Sequence, residues 1–72
     1  MGVLPKSPVR KMMRETSGMR VSKAATACLI EELEKVLVRI AKESGAFAAH
    51  AKRKTIKKED VILSLRTLNL SS

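Results

Sequence analysis

The apolar residues near the start of the chain repeat with spacings of three and four, as they do on one face of an α-helix. They are Val9, Met12 and Met13. Ser7 followed by Pro8 is typical of a helix start, and Gly18 is typical of the residue that follows a helix end. The pattern therefore predicts a short helix over residues 8–16 whose methionines lie in the core.

The middle of the chain, residues 23–51, predicts one long helix. It has no proline and a single glycine, and the strong helix formers Ala, Leu, Glu and Lys dominate it. Ser22, immediately before it, is a good N-cap. The apolar stripe of this helix contains Leu29, Leu33, Val36 or Leu37, Ile40 and Phe47, and it is widened by Cys28, Ala41, Ala48 and Ala51.

The apolar stripe of the middle helix is too long to be covered within one chain. At ~1.5 Å per residue the helix measures about 40–45 Å, which exceeds the diameter of a compact domain of this size. Two short flanking helices cannot cover such a stripe. We therefore expect a second copy, or a similar chain, to cover the rest.

A third, shorter helix is predicted over residues 57–68. Glu59 and Asp60 lie in its first turn, where carboxylates complement the helix dipole. Its apolar stripe consists of Val61, Leu65 and Leu68. The predicted fold class is therefore all-α, with the order short helix, long central helix, short helix.

These elements form one domain over residues 1–72, with an N-terminal extension at about 1–6 and a short tail at 69–72. A chain this short buries a small core, so disulfides, a metal or oligomerisation usually supplement it. Cys28 is the only cysteine and His50 the only histidine, which excludes an internal disulfide and argues against a metal site. Oligomerisation is the remaining route.

The charge of the chain indicates a partner. It carries 15 Lys and Arg against 7 Asp and Glu, a formal net charge of +8. Residues 1–23 hold six basic side chains and one acid, residues 52–72 hold six and two, and the segment between them is nearly neutral. An excess of this size indicates a polyanion. Because the chain has one aromatic residue, stacking of single-stranded bases is disfavoured.

The same composition bears on membranes and location. No apolar run approaches the ~18 residues that a membrane span needs, and the first residues lack the pattern of a signal peptide. One unpaired cysteine without a targeting signal favours a reducing, intracellular compartment. We therefore expect no membrane partner.

An antiparallel dimer would bring the two predicted basic loops together, because the first loop of one chain would lie next to the second loop of the other. Arg20 would then lie beside Arg53, Lys54 and Thr55 of the other chain, and the first helices would add Arg10, Lys11 and Arg14 on the same side. Such a curved strip of cations suits a duplex backbone.

Three motifs carry a family resemblance. They are Leu4-Pro5-x-x-Pro8, Arg20-Val21-Ser22 and His50-Ala51-x-Arg53-Lys54-Thr55-Ile56-Lys57-x-Glu59-Asp60. The three motifs occur in the order, and with the helix lengths between them, that are typical of one family. On these motifs the chain resembles an archaeal histone over residues 4–68. The resemblance implies a handshake dimer, with itself or with a similar histone, that wraps double-stranded DNA and joins further dimers through a four-helix bundle. It also implies a location in the cytoplasm, on the chromosome.

The resemblance implies roles for individual residues. Arg20 would enter a minor groove and Thr55 would hold it there, while basic residues of the second loop and the first helix would meet phosphates. The predicted DNA-binding residues are Lys11, Arg14, Arg20, Lys52, Lys54, Thr55 and Lys57. The family's internal salt bridge matches Arg53 and Asp60. The positions that match the contact between dimers are Phe47, His50, Asp60 and Leu63.

One departure from the family pattern concerns the second loop. Lys52 stands where the family usually has a glycine, which permits a left-handed helix end. We therefore expect Lys52 to strain or reshape this loop while adding a charge. Gly45 and Ile62 also depart from the usual residues.

The sequence contains no constellation typical of catalysis, such as a Gly-rich phosphate loop or a nucleophile–base pair, so we expect no enzyme, cofactor or small-molecule substrate. The predicted function is sequence-independent packaging of DNA. The alternative is a histone-fold scaffold subunit that pairs with another chain in a transcription or chromosome complex. A helix-turn-helix regulator would need a short recognition helix, which the long middle helix argues against.

Overall fold

The computed structural model describes residues 4–70, and in this range it contains three α-helices and no strand. Helix α1 spans Lys6–Ser17, α2 spans Lys23–His50 and α3 spans Lys58–Thr67. The predicted all-α order of short, long and short helices is confirmed. Residues 1–3 of the predicted extension and residues 71–72 of the predicted tail lie outside the described residues. The chain divides into two compact units, Met1–Lys35 and Val36–Ser72.

Helix α1 begins two residues earlier than its sequence pattern predicts. Pro5 is the N-cap, with φ −69° and ψ 133°, and Ser7 lies inside the first turn instead of capping it. The prediction of a start at Pro8 was wrong because proline is tolerated throughout the first turn, where the backbone N–H groups have no acceptor within the helix.

Helix α2 begins as predicted. The Ser22 hydroxyl accepts a hydrogen bond from the Ala25 N–H at 3.0 Å, and the Ser22 carbonyl accepts one from the Thr26 N–H at 3.0 Å. The side-chain oxygen of Ser22 thus satisfies one of the donors that a helix start leaves without an acceptor.

All three helices are followed by a residue in the left-handed region: Gly18 at φ 70°, Lys52 at φ 62° and Asn69 at φ 59°. After α2, the Lys52 N–H donates to Ala49 O and the next N–H, that of Arg53, donates to Ala48 O, both at 2.9 Å. This is the Schellman arrangement, in which glycine is the usual residue and asparagine the next. Lys52 therefore occupies a conformation that a side chain with a Cβ rarely adopts.

Of the apolar stripes predicted from the sequence, only Ala48 is buried within residues 4–70 of the single chain, and the other members are half-buried or exposed. Among residues 4–70, the buried apolar side chains are Ile30 and Ala48, and the buried polar ones are Thr26, Glu34, Ser44, Asp60 and Ser64. The prediction of Met12 and Met13 as core residues was wrong for the isolated chain, because both are exposed, as is Cys28 of the α2 stripe. The periodicity identified the apolar faces, but it carries no information on whether the same chain or another covers them.

In the first unit, α1 and the first half of α2 form a groove with a volume of about 500 Å³. We call this the apolar groove; its lining residues are Leu4, Pro5, Pro8, Val9, Met12, Met13, Thr16, Leu29 and Leu33. Met12 is 70% exposed and Leu33 is 39% exposed, so the groove is open to solvent.

In the second unit, α2 and α3 meet through two small hydroxyls. Ser44 Oγ and Ser64 Oγ lie 2.7 Å apart, and both side chains are fully buried. Ser64 Oγ also lies within hydrogen-bond distance of Asp60 O, at 3.0 Å, and of Val61 O, at 2.9 Å. Small side chains at this crossing let the two helices approach closely, and the mutual hydrogen bond satisfies both buried hydroxyls.

Candidate nucleic-acid interface

The second loop, residues 51–57, is held by one bidentate ion pair. Arg53 Nη1 donates to Asp60 Oδ2 at 2.8 Å and Arg53 Nη2 donates to Asp60 Oδ1 at 2.9 Å. Arg53 Nη1 also donates to Thr55 O at 3.1 Å, and the Lys57 N–H donates to Asp60 Oδ2 at 2.8 Å. The pair that the resemblance implied is thus present, and it ties the loop to the first turn of α3.

This environment keeps the Asp60 carboxylate ionised. The hydrogen bonds from the Arg53 guanidinium, followed by the hydrogen bond from the Lys57 N–H, lower the pKa of Asp60 from 3.8 to about 2. Asp60 raises the pKa of Arg53 in return through the same hydrogen bonds. Because Asp60 is only 2% exposed, this carboxylate acts inside the chain and adds little to the charge of its surface.

The remaining polar side chains of the second loop face solvent. Lys52, Lys54, Thr55 and Lys57 are all exposed, and none of them takes part in an ion pair within residues 4–70. The loop therefore combines a backbone fixed from inside with cations that are free to meet phosphates. This is the arrangement that contacts to a nucleic-acid backbone require, since phosphate contacts fix position without reading bases.

The first loop, residues 18–22, contains the exposed side chain of Arg20. Its backbone is tied to α1, because Arg10 Nε donates to Val21 O at 3.1 Å and the Met19 N–H donates to Ser17 Oγ at 3.1 Å. The hydrogen bond between Arg20 and Thr55 that the resemblance implies belongs to two different chains, and it stays a prediction.

The predicted cations of α1 are exposed. Lys11 Nζ lies 4.0 Å from Glu15 Oε1, with about two thirds of each side chain exposed, and a pair of this kind contributes little. Arg14 is exposed in the last turn, and it has no ion-pair partner in the described part of the chain. Both side chains are therefore available to an external anion.

A second group of cations includes Arg10, which the sequence placed on the basic strip, and two cations that the sequence did not assign, Lys6 and Lys23. A polar pocket of about 310 Å³ lies in the first unit, lined by Lys6, Ser7, Arg10, Lys23 and Thr26. Lys6 and Lys23 are the first residues of α1 and α2, and neither helix has an acidic residue in its first turn. The absence of carboxylates at two helix starts was the signal in the sequence that could have identified this pocket.

The residues assigned to the contact between dimers differ in their exposure. His50 is exposed at the last position of α2, Leu63 is exposed on α3 and Phe47 is half-buried. Asp60 is enclosed by its bonds to Arg53 and Lys57, so a pair between His50 and Asp60 of another dimer would have to reach a carboxylate that is already engaged. This pair stays a prediction.

No group of three or more His, Cys, Asp or Glu side chains that could hold a metal ion occurs in residues 4–70. Over the same range, none of the helices combines the length and the apolar character needed to cross a bilayer.

A long central helix between two short ones, with an exposed basic loop on each side, defines a histone-fold protein. The family model for histone-like transcription factors (CBF/NF-Y) and archaeal histones matches residues 3–65. The chain therefore belongs to this family, and the predicted histone fold is confirmed.

Individual relatives agree with this assignment. A subunit of the archaeal histone HAN1 of Thermococcus zilligii is 39% identical over 66 residues, which cover 92% of this chain and 98% of that protein. Probable archaeal histone 3 of Methanocaldococcus jannaschii is 42% identical, with the same coverage of both chains. DNA-binding protein HmvA of Methanococcus voltae is 34% identical over 59 residues, covering 82% of this chain and 60% of that protein.

Proposed function

We propose that this protein binds double-stranded DNA largely independently of sequence and compacts it, acting on the chromosome as a structural protein and not as an enzyme. The observation that carries this proposal is the second loop, in which an enclosed ion pair fixes the backbone while Lys52, Lys54 and Lys57 stay exposed. The names of the relatives, archaeal histones and a DNA-binding protein, support the same function.

The binding unit is a dimer of two copies. Within residues 4–70, only Ile30 and Ala48 are buried apolar residues, which is too small a core for a stable domain. Leu33 and Leu37 are exposed one helical turn apart on α2. A second copy, paired in the handshake manner, supplies an apolar face of the same length.

DNA contact in this dimer uses the backbone of the duplex. Lys54, Thr55 and Lys57 meet phosphates from the second loop, and Arg20 enters a minor groove, where a weakly hydrated guanidinium is favoured. Lys11 and Arg14 extend the contact along α1. None of these groups reads base edges in the major groove, so binding is salt-dependent and tolerant of sequence.

Dimers join through Phe47, His50 and Leu63 near the end of α2 and on α3. Half-buried and exposed apolar side chains beside a polar one are typical of a helix-bundle contact. The assembly lengthens the surface around which DNA is wrapped.

A scaffold role in a transcription complex is the second candidate, because the matched family also contains histone-like transcription factors. This role needs a different chain as the partner. The basic, exposed loops and the archaeal histone relatives favour packaging.

Nuclease digestion of complexes reconstituted on duplexes of unrelated sequence tests the proposal. Protected fragments that grow in regular steps are the expected result. The variant Phe47→Glu should keep the dimer and its DNA binding but lose the longer fragments, while Phe47→Leu should keep them. A parent protein that protects no DNA would support the scaffold role, and an unchanged ladder for Phe47→Glu would place the contact between dimers elsewhere.

A further inference from the structure

The polar pocket at the starts of α1 and α2 lies apart from the residues that the function above uses. Three of its five lining residues are the cations Lys6, Arg10 and Lys23, and the other two are Ser7 and Thr26. None of the three cations takes part in an ion pair within the described range, and no acidic residue lines the pocket.

The chemistry of this pocket is complementary to a phosphate group. Thr26 is buried and its hydroxyl already donates to Ser22 O at 3.0 Å, so it forms a neutral wall. Lys6, Ser7 and Lys23 are exposed and present an ammonium, a hydroxyl and a second ammonium from two helix starts. An anion between them would meet cations from two directions, and the positive ends of both helix dipoles would add to the attraction.

Arg10 connects this pocket to the first loop. Its Nε donates to Val21 O at 3.1 Å, next to Arg20 in the chain. The guanidinium has five N–H donors in a fixed fork, so the Nη groups stay available to a ligand while Nε holds the loop. Arg10 therefore links the pocket to the loop that carries Arg20, the side chain proposed to enter a minor groove.

We propose that the pocket formed by Lys6, Arg10 and Lys23 binds one backbone phosphate of the duplex, adjacent to the groove that Arg20 enters. This inference rests on the proposed DNA binding and adds one phosphate per chain to it. Because the three cations share a single phosphate, their removal acts on one contact and not on three.

The salt dependence of binding to a short duplex tests this assignment. Each phosphate neutralised on B-DNA contributes about 0.9 to the slope of log Kobs against log salt concentration. The double variant Arg10→Gln/Lys23→Gln should reduce the slope by about 0.9 for each chain in the complex, and addition of Lys6→Gln should reduce it little further.

A matched control is Arg39→Gln/Lys42→Gln, which removes the same two kinds of charge from exposed positions of α2 outside the proposed interface. It should leave the slope nearly unchanged, and circular dichroism should show both double variants folded. Equal reductions in both double variants would show a general charge effect and overturn the assignment. A parent protein with no salt-dependent DNA binding would instead overturn the proposed function itself.

Two further measurements separate a phosphate contact from its alternatives. The variant Arg10→Lys/Lys23→Gln keeps a cation but not the fork at position 10, and it should retain most of the slope that Arg10→Gln/Lys23→Gln loses; failure to do so would assign Arg10 to loop support alone. Replacing chloride by inorganic phosphate at equal ionic strength should weaken DNA binding by the parent more than by the Arg10→Gln/Lys23→Gln variant. Phosphate that binds the pocket without weakening DNA binding would show a site for a free anion.

Discussion

In residues 4–35 the apolar groove is open, with Met12 and Leu33 exposed along it, whereas in residues 36–70 the hydroxyls of Ser44 and Ser64 are enclosed and bonded to each other. The first region places apolar side chains where its own helices do not cover them. The second region also exposes large apolar side chains, namely Leu37, Ile56, Ile62, Leu63 and Leu70, but its enclosed Ser44, Asp60 and Ser64 are hydrogen-bonded to one another or to nearby groups. Both regions therefore leave apolar surface for another chain, but the second also fixes its local geometry from within through hydrogen-bonded polar side chains.

The largest expected effect comes from a charge in the open region. Leu33→Glu should abolish the dimer, because complete burial of a leucine contributes about 1.5–3 kcal/mol and the change occurs in both chains. An unpaired carboxylate at the interface adds a further cost, so dimerisation should weaken by more than about 1,000-fold.

Sedimentation and melting at several protein concentrations measure this effect, since the melting temperature of an obligate dimer rises with concentration. Leu33→Met keeps an apolar side chain of similar volume and should remain dimeric. A parent chain that sediments as a monomer and melts independently of concentration would remove the contrast between the two regions.

In the second region, the Arg53–Asp60 pair predicts a specific dependence of stability on pH. Because folding lowers the pKa of Asp60 from 3.8 to about 2, its contribution is complete above the unfolded value and is lost as pH falls through the folded one. Asp60→Asn should be less stable than the parent at neutral pH, and the difference should close as pH falls from 3.8 to about 2.

Chemical denaturation of both proteins across this pH range provides the measurement. Glu59→Gln, a neighbouring carboxylate outside the ion pair, serves as the control and should lack this difference. A stability difference between Asp60→Asn and the parent that stays constant down to the lowest pH would contradict the assignment.

The buried hydroxyl pair predicts unequal effects of two similar changes. Ser64→Ala leaves Ser44 Oγ buried without this partner and should cost ~1–3 kcal/mol. Ser44→Ala should cost less, because Ser64 Oγ keeps the carbonyls of Asp60 and Val61 within reach. The double variant Ser44→Ala/Ser64→Ala should be at least as stable as Ser64→Ala, since it leaves no unpaired hydroxyl. Additive losses in a double-mutant cycle would exclude a coupled pair.

The smallest expected effects concern Gly18 and Lys52, the left-handed residues that follow α1 and α2. Gly18→Ala should destabilise the protein by about 1 kcal/mol through its positive φ alone, since no atom lies within 4 Å of the added Cβ. Lys52→Gly should stabilise it by about 1 kcal/mol for the converse reason. Thermal melts measure both changes; a stabilising Gly18→Ala or a destabilising Lys52→Gly would show that the shared backbone conformation does not control them.

The sequence predicted the parts of this fold that depend on local chemistry. The cap at Ser22, the left-handed turn at Gly18 and the first turn of α3 follow from residue types at fixed offsets, and the structure has them where expected. The start of α1 was misplaced because Pro5 and Pro8 are both compatible with a first helical turn.

Burial was harder to predict because it depends on what faces each helix. Ile30 and Leu33 lie on the same helix three residues apart, yet one is 5% exposed and the other 39%. The predicted stripe of α2 included Leu33 but not Ile30, because periodicity cannot separate the side covered by the chain itself from the side that needs another chain. The pocket around Arg10 was missed for a related reason, since two helix starts meet there through tertiary packing.

The fixed backbone of the second loop has a consequence for the entropy of DNA binding. Ordering a residue costs about 1–2 kcal/mol in backbone conformational entropy. In this loop, the hydrogen bonds of Arg53 and of the Lys57 N–H order the backbone when the chain folds. The entropy cost of ordering the loop is therefore not part of DNA binding. In the proposed complex, Lys54 and Thr55 would therefore meet phosphates from a backbone that is already ordered. The free energy of contact at this loop then comes mainly from the ions that the duplex releases.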